Sequence, residues 1–333
     1  MPDFTKCGVS IAIPNYNGRE LLEECLPSIF EELKSRDNPN DEVCMADDGS
    51  TDGSVEFLKK NYPAVKLIAA GHGGGAPNAF NHAISLCKND IVIVHDNDVK
   101  VEKGYIEPLL AHFNDDDVFA VTMRALAFDK KTFRSAGKLG GFRRGFIRAW
   151  ENYDIDEPEK NPLVIERVLP SLFGMTAHVA YRKSMFDALG GLDLIYTPYI
   201  WEDTDICYRA WKRGWITRYE PRSLVYHKWN STIARLSPGS RQAMISARNR
   251  LIFHWKNVGD LDMLVVHAAA LTVRTLFSLL TFRRSFLVPL WQAMKLLPEI
   301  RAKRAEDKKH WVLSDREILQ KPVSMLKEPG VHT

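Results

Sequence analysis

Hydrophobic positions in the first hundred residues switch repeatedly between two periods. Residues 8–13 form a short apolar run stopped by Pro14, which predicts a strand. Over residues 20–34 the apolar side chains Leu21, Leu22, Cys25, Leu26, Ile29, Phe30 and Leu33 recur at helical spacing. Residues 42–46 predict a second strand, 54–61 a helix, 65–70 a third strand and 78–88 another helix. Residues 91–95 are apolar up to His95, the pattern of a strand buried on both faces. This rhythm implies an α/β fold, a mostly parallel sheet with helices on both faces. In such sheets ligands bind beyond the carboxyl ends of the strands. The turns at 14–18, 47–50, 71–76 and 96–98 are therefore expected along one edge.

The pattern weakens over residues 124–170, where Gly137, Gly140, Gly141 and Gly145 alternate with charges. A long irregular or partly helical insertion near the site is expected there. Order resumes over 172–182, followed by a short helix at 183–189, a break at Gly190-Gly191 and a helix at 202–213. Residues 216–219 and 224–227 read as strands. Beyond Ser237 the chain reads as helical, broken by Gly259, Pro289 and Pro298. The expected organisation is an α/β domain over 1–237, divided near residue 100, and a helical extension over 238–333.

The 333 residues are 45% hydrophobic, and a chain of this size buries roughly three quarters of its unfolded surface. Folding then needs neither disulfides nor a structural metal. Lys and Arg number 45 against 42 Asp and Glu, a net charge of +3, which argues against a nucleic-acid partner. The five cysteines are widely spaced and form no CxxC pair, so buried thiols in a reducing compartment are expected. The N-terminus, MPDFTKCGVSIAIPNYNG, lacks the basic and long apolar segments of a signal peptide. A cytoplasmic chain is expected.

Two kinds of turn carry candidate chemistry. Gly71-His72-Gly73-Gly74-Gly75-Ala76 fits G-x-G-x-x-A between a strand and a helix, and Asp96 follows Ala76 by 20 residues. That is a dinucleotide fingerprint in its required context, so an NAD(P)-dependent oxidoreductase is an alternative. Against it, two strand–helix units precede the loop, and Asp96 and Asp98 flank Asn97, a spacing that suits a metal ion better than a ribose. Asp96-Asn97-Asp98 reads as either a divalent-cation site or an Asx-type turn. Asp47-Asp48-Gly49-Ser50-Thr51-Asp52-Gly53 reads either as a binding turn or as turn and helix-cap chemistry. Arg209 and Arg213, one turn apart, read as a solvated helix face.

As a set the motifs resemble the family 2 glycosyltransferases, inverting enzymes of the GT-A fold, with a bacterial rhamnosyltransferase-like pattern. The likeness rests on VSIAIPNYNG at 9–18, DDGSTDGS at 47–54, GAPNAFN at 75–81 and IVIVHDNDV at 91–99. It extends through GGLDLIYTPYIWEDTDICYRAWKRGW at 190–215 and RNRLIFHWKN at 248–257. The resemblance implies a Rossmann-like GT-A sheet whose halves, 1–100 and 101–237, hold the nucleotide sugar and the acceptor. It implies that Pro14, Tyr16, Asn17, Asp48, Gly75, Asn81 and Asp96 surround the nucleotide sugar, with Tyr16 stacking on the base and Asp48 hydrogen-bonding it. It further implies Mg²⁺ or Mn²⁺ on Asp98, Asp96 and His227, with Asp203 as general base beside Glu202. Trp201 could stack on the acceptor or belong to the core. Gly73 departs from the pattern, since relatives often carry Asn there. The implied reaction moves a sugar from a nucleoside diphosphate to the hydroxyl of a glycan or lipid-linked acceptor.

In the extension, His267, Ala270, Arg274, Ser278, Thr281 and Ser285 form a narrow polar stripe on an otherwise apolar helix. The longest run free of Asp, Glu, Lys and Arg there covers residues 263–273, short of the ~20 a spanning helix needs. Over residues 274–311 nine basic residues oppose three acidic ones, a net +6. An amphipathic, peripheral association with an anionic membrane surface is expected. Packing on the catalytic domain or in a homo-oligomer is the other reading of these helices.

Overall fold

The structure, a computed structural model, describes residues 4–69, 74–151, 158–161, 164, 168–228 and 239–326. Strands β1 (Val9–Asn15), β2 (Glu42–Asp47), β3 (Lys66–Ala69) and β4 (Ile91–His95) lie parallel in the order β3-β2-β1-β4. Helices α1 (Arg19–Arg36), α2 (Ser54–Asn61) and α3 (Gly75–Ser85) connect them. Alternate residues serve opposite faces. Val9, Ile11, Ile13, Val43, Met45, Ile91 and Ile93 enter one core, while Ala12, Cys44, Ala46, Val92 and Val94 enter the other. Burial on both sides is why these strands are continuous apolar runs.

Beyond β4 the sheet continues as β11 (His178–Arg182), β6 (Val118–Leu126), β12 (Ile216–His227) and β10 (Leu169–Pro170). Strand β11 is antiparallel to both neighbours, whereas β6 and β12 are parallel. Short strands β5 (Val99–Val101) and β7 (Phe133–Ser135) pair with β12 and β6. Helices α4 (Ile106–His112), α5 (Lys183–Ala188) and α6 (Glu202–Lys212) complete the α/β part.

Besides the helix expected over 78–88, which is found at Gly75–Ser85, the elements depart from the sequence pattern in four places. Strand β1 runs through Pro14, because its ladder to β4 stops at Ala12 and the missing donor falls where only β2 flanks the strand. Residues 216–227 form one strand rather than two, with a bulge between Glu220 and Leu224 that absorbs Pro221. The supposed irregular insertion contains a hairpin, β8 (Lys138–Arg143) and β9 (Phe146–Glu151). Its two-residue turn, Arg144-Gly145, has φ of 52° and 79°, the left-handed pair that such hairpins require. Arg rather than Asn or Asp in the first position hid the signal.

The fourth departure lies in the helical extension, α7 (Gly239–Asn257), α8 (Leu261–Leu280), α9 (Arg284–Lys295), α10 (Leu297–Lys308) and α11 (Asp315–Met325). Pro289 sits inside α9 and the break falls at residues 281–283 instead. The expected boundary at 237/238 lies outside the described residues. Ile252 and Phe253 of α7, Ile300 of α10 and Ile318 of α11 join the main core. Buried ions fasten the same helices. Lys256 Nζ reaches Asp193 (2.6 Å) and Asp205 (3.0 Å), and Lys212 Nζ reaches Asp315 (2.8 Å).

Helix α8 is turned outward. His267 and Ser278 of its polar stripe are buried, and Arg274 lies over the Phe146 ring at 4.7 Å. Its apolar residues face solvent instead, Leu276, Phe277 and Leu280 being 57%, 50% and 80% exposed. By length and composition alone this helix could cross a membrane, despite the short uncharged run. The charges that interrupt it are engaged, Asp262 with Arg316 and Arg274 with Phe146.

Candidate active site

Three strand ends converge. Asn15, the last residue of β1, donates Nδ2 to Asp47 Oδ1 (2.8 Å), and its Oδ1 accepts from Asn97 Nδ2 (2.8 Å). Gly18 makes this possible, since a Cβ there would stand 2.1 Å from Asn97 Nδ2 and 2.6 Å from Asn15 Oδ1. Asp47 also accepts from the Ser50 amide (2.8 Å) and hydroxyl (2.6 Å), and Ser50 Oγ accepts from the Asn17 amide (2.8 Å). Asp47 therefore knits the turns, while Asp48 and Tyr16 stand one residue beyond the Asn15–Asp47 register pair on adjoining strands. Asp48 is buried, and Pro14, Tyr16 and Asn17 are half-buried. The expected edge thus holds for the turns at 14–18, 47–50 and 96–98.

Residues 71–73 of the glycine loop, Gly73 among them, lie outside the described residues. Gly75 has φ +73°, and a Cβ on it would meet Pro198 O at 2.8 Å and Thr197 at 2.9 Å. The Ala76 amide donates to Pro198 O at 2.8 Å. The open space at Gly75 therefore admits this chain's own backbone. Asn81 is likewise engaged within the fold, clamping Leu192 by accepting from its N–H (2.9 Å) and donating to its C=O (2.8 Å).

Pairing of β5 with β12 sets His227 opposite Val99 and beside the end of β4. His227 Nε2 lies 3.0 Å from Asp98 Oδ1 and 3.8 Å from Asp96 Oδ2. One donor atom from each of the three falls within 4.8 Å of the others. Two carboxylate oxygens with one imidazole suit a divalent ion of the Mg²⁺ or Mn²⁺ class. Burial opposes the imidazolium of His227, yet Asp98 and then Asp96 outweigh it and raise its pKa. Asp96 keeps 36% of its side chain exposed. Loss of water in the cleft, then the carboxylates of Asp98 and Asp203, still move it upward.

Asp203 lies close enough for its charge to bear on Asp96. Glu202 and Asp203 open α6 after two residues in the left-handed region, Ile200 (φ 71°) and Trp201 (φ 84°). Such conformations cost of order 1–3 kcal/mol each, and α7 holds them. Buried Asn249 directs its Nδ2 to the carbonyls of Tyr196 (2.8 Å), Tyr199 (3.0 Å) and Ile200 (2.8 Å). Trp201 packs on Phe253 (5.2 Å between ring centroids) and donates to Ser246 Oγ (3.3 Å). Burial, then Asp203, push Glu202 up to about 8. Burial also raises Asp203, against the Thr204 amide, which donates to Asp203 Oδ1 at 2.6 Å, and the field of Lys138.

Asn15, Asn97 and Asn249 lie inside the family motifs and Lys138 in none of them, and the sequence pattern assigns none of the four a role, because each acts through a distant segment. Lys138, buried on β8, donates to Ser135 Oγ (2.7 Å) and brings positive charge toward Asp203 and His178. Arg209 corrects the expected solvated face. It is buried, paired with Asp205 (2.7 Å) and donating to the carbonyls of Leu189 and Gly191. The dinucleotide alternative loses its supports, since Gly75 accommodates Pro198 and Asp96 belongs with Asp98 and His227.

Comparison with known proteins agrees. A family model described as glycosyl transferase family 2 matches residues 10–186. An N-acetylglucosaminyl-diphospho-decaprenol L-rhamnosyltransferase of Mycobacterium tuberculosis is 30% identical over 220 residues, covering 57% of this chain and 67% of that one. A pre-mycofactocin glycosyltransferase of the same organism is 29% identical over 189 residues, covering 56% of this chain and 37% of its own. Among solved structures, the mannosyltransferase PcManGT of Pyrobaculum calidifontis, in complex with GDP-Man and Mn²⁺, gives a TM-score of 0.53 at 18% identity. It aligns over 98% of this chain and 83% of its own. S. aureus TarS in complex with UDP-GlcNAc gives 0.55 at 14% identity, over 95% and 92%. The neighbours share the GT-A architecture, and the chain belongs to glycosyltransferase family 2, whose members transfer sugars.

Proposed function

We propose that the chain moves a sugar from a nucleoside-diphosphate sugar to a hydroxyl of a lipid-linked glycan, in one inverting displacement. The observation that carries this reading is the cluster of Asp96, Asp98 and His227 at the strand ends. Asp203 lies near enough for its charge to raise Asp96. Tyr16 stacks on the nucleotide base and Asp48 accepts its hydrogen bond. Asp98, Asp96 and His227 would hold Mg²⁺ or Mn²⁺, which offsets charge developing on the departing diphosphate. Asp203 takes the proton of the attacking hydroxyl, and its raised pKa makes it a stronger base. Glu202, protonated at neutral pH, withdraws a competing charge from its neighbour. One carboxylate base and one displacement invert the anomeric configuration.

The outward face of α8 and α9 supports a membrane-apposed setting at the cytoplasmic surface. Leu276, Phe277, Leu280, Phe282 and Trp291 are exposed beside exposed Arg283, Arg284 and Lys295, a combination that favours anionic lipid. Truncating the extension would break the core, so the clean variant is L276E/L280E. It should lose flotation with phosphatidylglycerol vesicles. Unchanged flotation, or dimer dissociation in its place, would overturn the membrane reading. For the reaction, nucleotide sugars should release nucleoside diphosphate in the presence of Mn²⁺ and stop on chelation. Failure of every donor in a broad panel would refute it.

A further inference from the structure

A second cluster of like charges lies away from the acidic cleft. The Arg144-Gly145 turn of the β8–β9 hairpin is pressed onto α8, where a Cβ at Gly145 would stand 2.6 Å from Ala270 Cβ. This contact brings two arginines over Phe146 and two more within reach of their charge. Arg250 of α7 lies over its ring at 4.1 Å and Arg274 of α8 at 4.7 Å. Arg148 of β9 bears on both, and Arg144 bears on Arg274, each opposing the other's charge. Among the described residues no carboxylate forms an ion pair with any of the four, whereas the guanidinium groups of Arg36, Arg209 and Arg218 are each paired with an aspartate. Arg250 also leaves a buried guanidinium nitrogen without a hydrogen-bond partner.

The neighbouring histidines add no charge. His254 Nδ1–H donates to Arg250 O (2.7 Å) while Nε2 accepts the Ile147 amide (2.7 Å). His267 Nδ1–H donates to Gly145 O (2.6 Å) while Nε2 accepts from Trp255 (3.2 Å). Both rings are therefore neutral and orient the cluster. Arg144 and Arg148 are exposed and Arg274 is half-buried, so the charges are open to a ligand.

Position narrows the ligand class. The cluster lies on the inward, polar side of α8, opposite its exposed apolar face, and a chain of rings links it to the start of α6. Trp201, adjoining Glu202, meets His254 at 6.5 Å between ring centroids, and His254 meets Phe146 at 4.9 Å. We infer that Arg144, Arg148, Arg250 and Arg274 form a second anion site, which binds the diphosphate of a lipid-linked acceptor. Its saccharide would then reach Asp203 while its chain follows α8 into the membrane. Guanidinium groups present paired donors that match phosphate oxygens. The inference rests on the acceptor reading above, and its test is built to fail separately.

Farnesyl diphosphate is titrated into protein freed of metal by chelation, which silences the donor-side cation site. The wild type should bind it, and R148Q/R274Q should weaken binding by about tenfold per arginine removed. R148Q alone, an exposed side chain with no hydrogen bond or ion pair among the described residues, should show its own share. In transfer assays the double variant should lose efficiency on a diphosphate-linked acceptor relative to a phosphate-free alkyl glycoside. Equal binding by wild type and variant would overturn the site. So would competition by phosphatidylglycerol vesicles as strong as that of the prenyl diphosphate, since the occupant would then be a phospholipid headgroup. Weakened binding in an enzyme that glycosylates no lipid-linked acceptor would support the site and refute the acceptor reading instead.

Discussion

The acidic cleft and the junction with the C-terminal helices both bury charge, in opposite ways. At the junction the buried aspartates are matched. Asp205 meets Lys256, Arg209 and Asn257, and Asp315 meets Lys212 and the amides of Gly259 and Asp260. In the cleft Asp96, Asp98, Glu202 and Asp203 bear on one another, with Lys138 as a nearby cation and His227 beside Asp98. Matched ions fasten helices to a sheet. Crowded like charges destabilise the free protein and await a ligand of opposite sign. The arginines around Phe146 follow the second pattern with the sign reversed.

Breaking each region should give a different signature. Asp203→Asn should lower kcat by about 10²–10⁴-fold, the usual worth of a positioned base, and leave the unfolding temperature equal or higher. An enzyme of full activity would remove Asp203 from the chemistry. Lys256→Met should do the reverse, costing about 3–5 kcal/mol in chemical denaturation because Asp193 and Asp205 lose a buried partner. A loss below about 1 kcal/mol would mean that the junction is not held by this network.

Metal binding sharpens the contrast. Mn²⁺ at about 100 times its Kd should stabilise the wild type by roughly 2.7 kcal/mol. Asp98→Asn should abolish most of that gain, and an equal gain in the variant would place the ion elsewhere.

The smallest effects are in pH. Activity should fall on the acid side through an ionisation raised above the usual carboxylate range, because burial lifts Asp203 and the base must be ionised. A kcat profile flat down to pH 4 would contradict that. Stability follows the opposite group. Despite burial, Lys256, Arg209 and Lys212 hold Asp193, Asp205 and Asp315 below their ordinary values. Their contribution is present above the unfolded carboxylate pKa, about 3.9, and should be lost as pH falls below it in denaturation series.

Local pattern was enough for much of this molecule. The apolar runs at 9–13 and 91–94, the helical periods of α1, α2 and α6, and the acidic turns after β2 and β4 were legible because each is written in consecutive residues. The motifs also placed Asp96, Asp98 and Asp203 in one family pattern, and the fold brings them to one cleft. What a linear pattern could not carry is pairing between distant segments. Nothing near Asn249 says that it will hold residues 196–200, and Lys138 approaches Asp203 only because an Arg-Gly turn closes a hairpin. The polar stripe of α8 was visible in sequence, but its direction was not. Amphipathicity states that a helix has two faces, and only the Phe146 hairpin, by occupying the polar one, decides that the apolar face is left to the outside.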